Sequence, residues 1–150
     1  MKVITQPSEL PVRRVPCVAT IGTFDGFHRG HWHIVRRTIA GARRLRAKSL
    51  LITFDEHPRL VLSKNFPGYI TERGKKIGLL DGSGLDYIWY IPFTPAIYRK
   101  SGEEFIRYIE RYFDLRMIVV GEGFRFGSRA EATVVDLEAI GSELGFSVVS

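Results

Sequence analysis

The sequence predicts an α/β fold in which a parallel five-stranded sheet is covered by helices on both faces. Short apolar runs, rich in β-forming residues, alternate with longer segments that carry apolar residues at helical spacing. The apolar runs are continuous rather than alternating with polar residues, which is typical of strands buried on both faces. Strands that alternate with helices imply right-handed crossovers and parallel pairing.

The first half of the chain supplies three predicted strands and two helices. Residues 1–16 contain three prolines and are expected to be an irregular lead-in. The predicted elements that follow, in chain order, are a strand at Cys17–Ile21, a helix from about Gly30 to Arg46, a strand at Ser49–Phe54, a long loop at Asp55–Tyr69, a helix capped by Thr71 that ends near Asp81, and a strand at Tyr87–Ile91.

The second half contains two capping-box patterns, each of which predicts the start of a helix. Ser101 precedes Glu104 by three positions, and Thr133 precedes Asp136 by three. The predicted elements are a helix from Ser101 to about Phe113, a strand at Met117–Val120, a glycine-rich loop at Gly121–Glu131, a helix from Thr133 to about Leu144, and a strand at Phe146–Val149. Numbered along the chain, the strands are expected in the sheet order 3-2-1-4-5.

Composition limits the class of protein. The chain has 150 residues, 45% of them hydrophobic, and we expect one globular domain with a real core. The single cysteine, Cys17, excludes a disulfide within the chain, and the sequence shows neither a signal peptide nor a membrane span. We therefore expect a cytoplasmic protein. The net charge of +6 favours an anionic partner about as strongly as it favours an ordinary, mildly basic surface.

The stretch Gly22–His31 joins the first predicted strand to the first helix. Its three glycines allow a tight turn and a close backbone approach to a ligand. A helix N-terminus offers unpaired N–H groups and a partial positive charge, both of which suit phosphate. His28 and His31 lie three positions apart at this helix start, so both rings are expected to reach one bound anion.

The glycine-rich loop at Gly121–Glu131 follows the fourth predicted strand. In the predicted order, this loop and Gly22–His31 flank the point where strand order reverses, and ligands of open α/β sheets bind there. Arg125 is favoured as a phosphate or adenine contact, whereas Phe124 and Phe126 are consistent with loop anchors. The first loop matches neither the dinucleotide pattern nor the P-loop, which argues against a nicotinamide cofactor or a standard kinase.

Simpler interpretations compete at several positions. His28, His31 and His33 lack an accompanying cysteine in metal-ligand spacing, so a zinc site is disfavoured. His57 precedes a proline, and a turn explains it as well as a substrate contact does. A stripe of basic residues on the first helix is most simply a solvated face, because no nucleic-acid-binding motif accompanies it; it comprises Arg36, Arg37, Arg43 and Arg44.

The Gly22–His31 stretch resembles the signature of the HxGH nucleotidyltransferase superfamily. It is most similar to the FMN adenylyltransferase (FAD synthetase) domain of bacterial riboflavin kinase/FAD synthetases. Collinear segments extend this resemblance along the chain, namely Ile52–Pro58, Ile70–Leu80, Asp86–Phe93, Ser101–Phe105 and Val119–Gly127. The resemblance implies the Rossmann-like nucleotidyltransferase fold and transfer of AMP from ATP to FMN with Mg²⁺, without nucleic acid or membrane partners.

The resemblance also implies a set of site residues, with His28 and His31 as the catalytic pair. The expected ATP contacts are Gly22, Thr23, Phe24, Asp25, His28, Gly30, His31, Gly121, Arg125, Phe126 and Gly127. The expected FMN contacts, chosen by position and residue type in the long loop, are Asp55, His57, Pro58, Leu60, Phe66 and Tyr69. No residue is assigned as a ligand of the metal, which is expected to arrive with ATP.

Two departures from the family pattern keep alternatives open. Gly123 replaces an Asp or Asn, and the family's Ser/Thr/Arg motif after the fifth strand does not occur in these residues. We expect residues 1–150 to form a single domain without a riboflavin kinase module. A non-catalytic nucleotide- or flavin-binding domain and a nucleotidyltransferase with another phosphorylated acceptor therefore remain alternatives.

Overall fold

The computed structural model of the chain describes residues 1–56, 62 and 72–150. Its described strands form one six-stranded sheet with the order β1-β4-β3-β2-β5-β6, and every neighbouring pair is parallel. The strands are β1 (Lys2–Ile4), β2 (Val15–Ile21), β3 (Lys48–Phe54), β4 (Tyr87–Ile91), β5 (Phe113–Val119) and β6 (Ser147–Val149). The predicted α/β fold is confirmed, and so is the relative order of the five predicted strands.

The predicted irregular lead-in is wrong in part. Lys2–Ile4 forms the edge strand β1, in register with Tyr87–Trp89 of β4, and a single turn of 3-10 helix follows at Pro7–Glu9. Val15 and Pro16 already belong to β2. A three-residue strand is too short to carry a periodic pattern, so its pairing partner rather than its own sequence defines it.

Five described helices connect the strands: α1 (Arg29–Arg44), α2 (Arg73–Leu80), α3 (Pro95–Tyr98), α4 (Gly102–Glu110) and α5 (Val134–Leu144). The single turn α3 is absent from the prediction because four residues show no helical period. Helix α4 ends before the predicted Phe113, which begins β5. Thr71, the predicted cap of α2, lies outside the described residues. No helix in the described part of the chain is both long and apolar enough to cross a membrane.

Both predicted capping boxes are present. The Ser101 hydroxyl accepts the Glu104 N–H at 3.1 Å, and the Glu104 carboxylate accepts the Ser101 N–H at 3.4 Å. At α5 the Asp136 carboxylate accepts the Thr133 N–H at 2.7 Å. These bonds satisfy helix-end donors that would otherwise lack partners.

Helices cover both faces of the sheet, as predicted. On one face, α4 and α5 pack through Ile106 and Leu137 onto strand residues such as Ile52, all fully buried. On the other face, α1 packs through Val35 onto residues that include Leu51. Each such side chain contributes about 1.5–3 kcal/mol through burial. The helices that follow β2 and β5 therefore lie on opposite faces.

Candidate active site

A cleft of about 510 Å³ lies at the carboxyl ends of the central strands. Its walls come from the β2 loop (residues 22–28), from the first turns of α1 and from the β5 loop (residues 120–132). Because the chain leaves adjacent strands β2 and β5 toward opposite faces, the loops diverge and leave a crevice between them. The predicted site at this switch point of the sheet is therefore a real cleft in the structure.

The structure brings together many of the predicted ATP contacts. Those that line the cleft are Gly22, Thr23, Phe24, His31, Gly121, Arg125, Phe126 and Gly127. Asp25, His28 and Gly30 are not among its lining residues, although they adjoin it in the β2 loop and at the start of α1. The assignment of individual residues to ATP stays a prediction.

His28 and His31 form a stacked pair at the N-terminus of α1. Their ring centroids are 3.8 Å apart with an interplanar angle of 25°. His28 is the N-cap, and its Nδ1 accepts the Gly30 N–H at 3.1 Å. An Nδ1 that accepts a hydrogen bond leaves Nε2 as the protonated nitrogen of a neutral ring. This geometry directs the donor capacity of His28 to Nε2, beside the positive end of the helix dipole.

His31 is half-buried and lines the cleft. Its Nδ1 is buried without a hydrogen-bond partner among the described residues. Burial lowers the pKa of His31 below its ordinary value, and the charges of His28 and Lys76 lower it further, while Asp25 acts in the opposite direction. These effects together favour the neutral form of His31, whereas an adjacent anion raises the pKa of an imidazole.

Aromatic side chains hold His31 in place. The Phe24 ring lies 5.3 Å from the His31 ring and the Phe27 ring lies 5.9 Å from it, both in edge-on contacts. Phe24 and Phe27 are buried and adopt positive φ angles of 49° and 38°, with Gly26 between them at 83°. Such strained backbone conformations persist only where the surroundings enforce them. Phe24, predicted as a nucleotide contact, therefore also supports the histidine.

The β5 loop contributes two cations to the cleft. Arg125 and Arg129 are both exposed and line it, and neither guanidinium forms an ion pair with a described residue. Arg129 has a positive φ of 56°. Phe124 and Phe126 stack at 5.5 Å, and Phe126 is buried, which fits the predicted anchoring role. Arg129 was missed because its position in the loop gives no pattern.

An aromatic wall lines another part of the cleft. Phe54 contacts Phe93 at 5.1 Å and Phe105 at 6.2 Å, and Phe93 contacts Tyr98 at 5.4 Å between ring centroids. These residues come from β3, from the segment after β4, from α3 and from α4. Sequence reasoning missed them because their strands and helices place them together only in three dimensions. An apolar wall of this kind suits a flat aromatic ligand.

The structure does not place any of the predicted FMN contacts among the described lining residues of the cleft. Asp55 is exposed and does not line the cleft; its carboxylate accepts the Phe93 N–H at 2.9 Å. Its visible role is to hold the segment that carries Phe93 in the aromatic wall. The other predicted contacts lie outside the described residues, namely His57, Pro58, Leu60, Phe66 and Tyr69.

Lys76 of α2 is a further residue that sequence reasoning did not place in the site. It is 7% exposed, and its Nζ donates to the Thr23 carbonyl of the β2 loop at 2.6 Å. Thr53 Oγ1 donates to the same carbonyl at 3.3 Å. Lys75 and Lys76 are adjacent in the sequence, and nothing in that pattern distinguishes the buried lysine from its exposed neighbour.

The fold has a solved counterpart. A crystal structure described as a macrolide-efflux protein from Streptococcus pneumoniae superposes with a TM-score of 0.84 and 22% sequence identity, covering 99% of this chain and 50% of that one. At this identity the likeness shows the shared fold alone.

Curated relatives carry a more specific name. Bifunctional riboflavin kinase/FMN adenylyltransferase from Escherichia coli K12 is 29% identical over 136 residues, which are 89% of this chain and 44% of the relative. The protein of the same name from Buchnera aphidicola subsp. Schizaphis graminum is 30% identical over 132 residues, which are 87% of this chain and 42% of the relative. The chain thus spans less than half the length of these relatives.

A family model matches nearly the whole chain. Residues 11–150 match the model described as FAD synthetase. This match agrees with the names of the relatives and with the resemblance carried by the Gly22–His31 stretch, and it confirms the prediction of an enzyme domain of the nucleotidyltransferase type. The chain belongs to the FAD synthetase family.

Proposed function

We propose that this chain transfers the adenylyl group of ATP to FMN. An oxygen of the FMN phosphate attacks the α-phosphorus of ATP, the bond between that phosphorus and the bridging oxygen of the β-phosphate breaks, and pyrophosphate leaves. FAD is the second product. The attacking oxygen is already anionic, so the reaction needs alignment and charge neutralisation rather than a strong base.

The observation that carries this proposal is that one cleft combines two kinds of wall. Its polar part holds His31, next to His28 and the N-terminus of α1, and it includes Arg125 and Arg129 of the β5 loop, which form no ion pair with a described residue. Its apolar part is the aromatic wall that contains Phe54. A reaction between two phosphate esters that carry flat ring systems requires this combination.

The side chains divide the work by chemistry. His28 and His31 donate hydrogen bonds to phosphate oxygens as charge shifts toward the leaving pyrophosphate. Arg125 and Arg129 neutralise the outer phosphates. The described residues contain no group of three possible metal ligands. The proposed Mg²⁺ would be held chiefly by the triphosphate, and the carboxylate of Asp25 would be a candidate protein ligand. Mg²⁺ supplies further charge neutralisation when ATP binds.

A single buried cysteine, Cys17, is consistent with the cytoplasm as the site of action.

The test is a direct assay with ATP, FMN and Mg²⁺, in which FAD is measured by chromatography and pyrophosphate by a coupled reaction. We expect both products in equal amounts from the wild-type chain. His31→Ala is expected to lower kcat/KM by roughly a hundredfold, because a positioned transition-state donor is lost. His33→Ala is the matched control, since His33 is an exposed histidine of the same helix that does not line the cleft.

Three results would contradict the proposal. The first is the absence of FAD formation. The second is equal activity of the His31 and His33 variants. The third is turnover with phosphopantetheine or glycerol phosphate in place of FMN. Flavin fluorescence measured during FMN titration identifies a binding domain without catalysis, because such a domain quenches the fluorescence but releases no pyrophosphate.

A further inference from the structure

Lys76 is a buried cation directly beneath the β2 loop. It is 7% exposed, whereas its neighbour Lys75 is exposed to solvent. Burying a lysine side chain is costly unless its charge finds partners. The partners of Lys76 are therefore informative about why a charge lies at this position.

The described partners of Lys76 belong to the active-site loop or support it. Its Nζ donates to the Thr23 carbonyl at 2.6 Å, and Thr53 at the end of β3 donates to the same oxygen at 3.3 Å. Burial lowers the pKa of Lys76, and the carboxylate of Asp25 opposes this effect. The ammonium thus ties α2 to the turn that leads from β2 to the histidine pair.

We propose that Lys76 is a positioning residue that fixes the Thr23–Asp25 turn. Because the Phe24 ring of this turn packs against the His31 ring, Lys76 also fixes the orientation of His31 in the cleft. This role rests on the proposed function of the histidine pair. The bond from Nζ to the Thr23 carbonyl sets the backbone that precedes Phe24. The Phe24 ring in turn contacts the His31 ring at 5.3 Å.

The electrostatics of the cluster agree with this geometry. Among the described residues, the charged and titratable groups that act on His31 are His28 beside it, Lys76 from α2 and Asp25 from the β2 loop. Lys76 lowers the pKa of His31, whereas Asp25 raises it. Removing the ammonium therefore has two separate consequences: the Thr23 carbonyl loses a donor, and the pKa of His31 rises.

The experiment compares Lys76→Met with Lys75→Met. Each variant removes one lysine charge from α2 and retains an unbranched side chain, so the pair differs only in which lysine is lost. Thermal unfolding reports on the fold, and the ring proton resonances of His31, followed by NMR against pH, report on its pKa. Steady-state formation of FAD reports on catalysis.

We expect Lys76→Met to fold, because an apolar side chain of similar length replaces a buried charge. In that variant His31 titrates at a higher pH than in wild type, and the amide resonances of Thr23–Asp25 shift. Its kcat at saturating ATP falls roughly ten- to a hundredfold, since small displacements of a catalytic group cost rate. Lys75→Met behaves like wild type in all three measurements.

A folded Lys76→Met protein with the His31 titration and kcat of Lys75→Met would overturn the proposal. If Lys76→Met does not fold, Lys76→Gln takes its place in the same three measurements, because its amide retains a donor to the Thr23 carbonyl without the charge. Failure of both variants to fold would make Lys76 a structural residue and would also overturn the proposal. If the wild-type chain forms no FAD, the proposed function fails, and the His31 titration and the Thr23–Asp25 resonances still decide the role of Lys76.

Discussion

Replacing Gly127 with alanine tests how the β5 loop is held at the cleft. Gly127 has φ 76° and ψ −178°, a conformation that is essentially restricted to glycine. A Cβ there would lie 2.6 Å from the Gly102 nitrogen and 2.9 Å from the Gly102 Cα at the start of α4. Next to it, the Ser128 N–H donates to the Lys100 carbonyl at 2.7 Å. The loop therefore rests directly on the backbone at the N-terminus of α4.

Two effects set the size of the loss. The disfavoured backbone conformation costs about 1–3 kcal/mol for alanine. The clash with an immobile backbone costs about 1–3 kcal/mol as overpacking. Together they reduce the free energy of unfolding by about 2–6 kcal/mol. For a domain of this length, each 1 kcal/mol lowers Tm by about 2–4 °C, so we expect a decrease on the order of 10 °C.

The assay is urea and thermal unfolding of Gly127→Ala beside Gly123→Ala. Gly123 lies in the same loop with φ 71°, but a Cβ there meets nothing within 4 Å. The control therefore carries only the positive-φ cost of about 1–2 kcal/mol. Equal stability of the two variants would refute the reasoning, because it would mean that the contact between Gly127 and Gly102 contributes nothing to how the loop is held.

Two further predictions concern anion binding. Burial lowers the pKa of His31 below its ordinary value of about 6.5, and a bound anion raises it. Pyrophosphate binding should therefore take up a proton at this ring, and its affinity should rise as pH falls toward that ordinary pKa. Isothermal titration should show a shallower pH dependence in His31→Gln, and identical slopes would exclude proton uptake at this ring. Arg129→Ala should raise the KM for ATP roughly tenfold with little change in kcat, because it removes a charge-assisted contact. The control Arg44→Ala, on the exposed face of α1, should leave both constants unchanged. An equal effect of the two variants would argue against Arg129 as a phosphate contact.

The fold was predictable where a local pattern and the global arrangement agree. The capping boxes at Ser101 and Thr133 are local chemistry, and both occur in the structure. The alternation of strands and helices predicted parallel pairing, whereas the strand order was taken from the common doubly wound arrangement. The edge strand Lys2–Ile4 and the single turn Pro95–Tyr98 were missed because neither is long enough to show a period, and each is defined by its contacts.

The polar part of the site could be predicted from the sequence, whereas its aromatic wall could not. The histidine pair is carried by consecutive sequence, so spacing alone brings His28 and His31 together. The aromatic wall combines residues such as Phe54, Phe93 and Phe105 from different elements. The burial of Lys76 could not be predicted from the sequence, because a charged residue in a helix is ordinarily expected to be exposed to solvent. Its partner is a backbone carbonyl 53 positions away.

The net charge of the chain and the charge of its cleft are separate properties. The overall value of +6 favours an anionic partner only weakly. The helix stripe that contributes much of it, such as Arg36 and Arg44, is exposed on α1 and does not line the cleft. The case for a phosphate ligand instead depends on Arg125 and Arg129, which face the cleft without an ion pair to any described residue, and on His31 of the same cleft, whose pKa is lowered by burial. A polyanion bound there would balance these charges and raise the pKa of the His31 ring at once, so we expect local pairing rather than net charge to select the ligand.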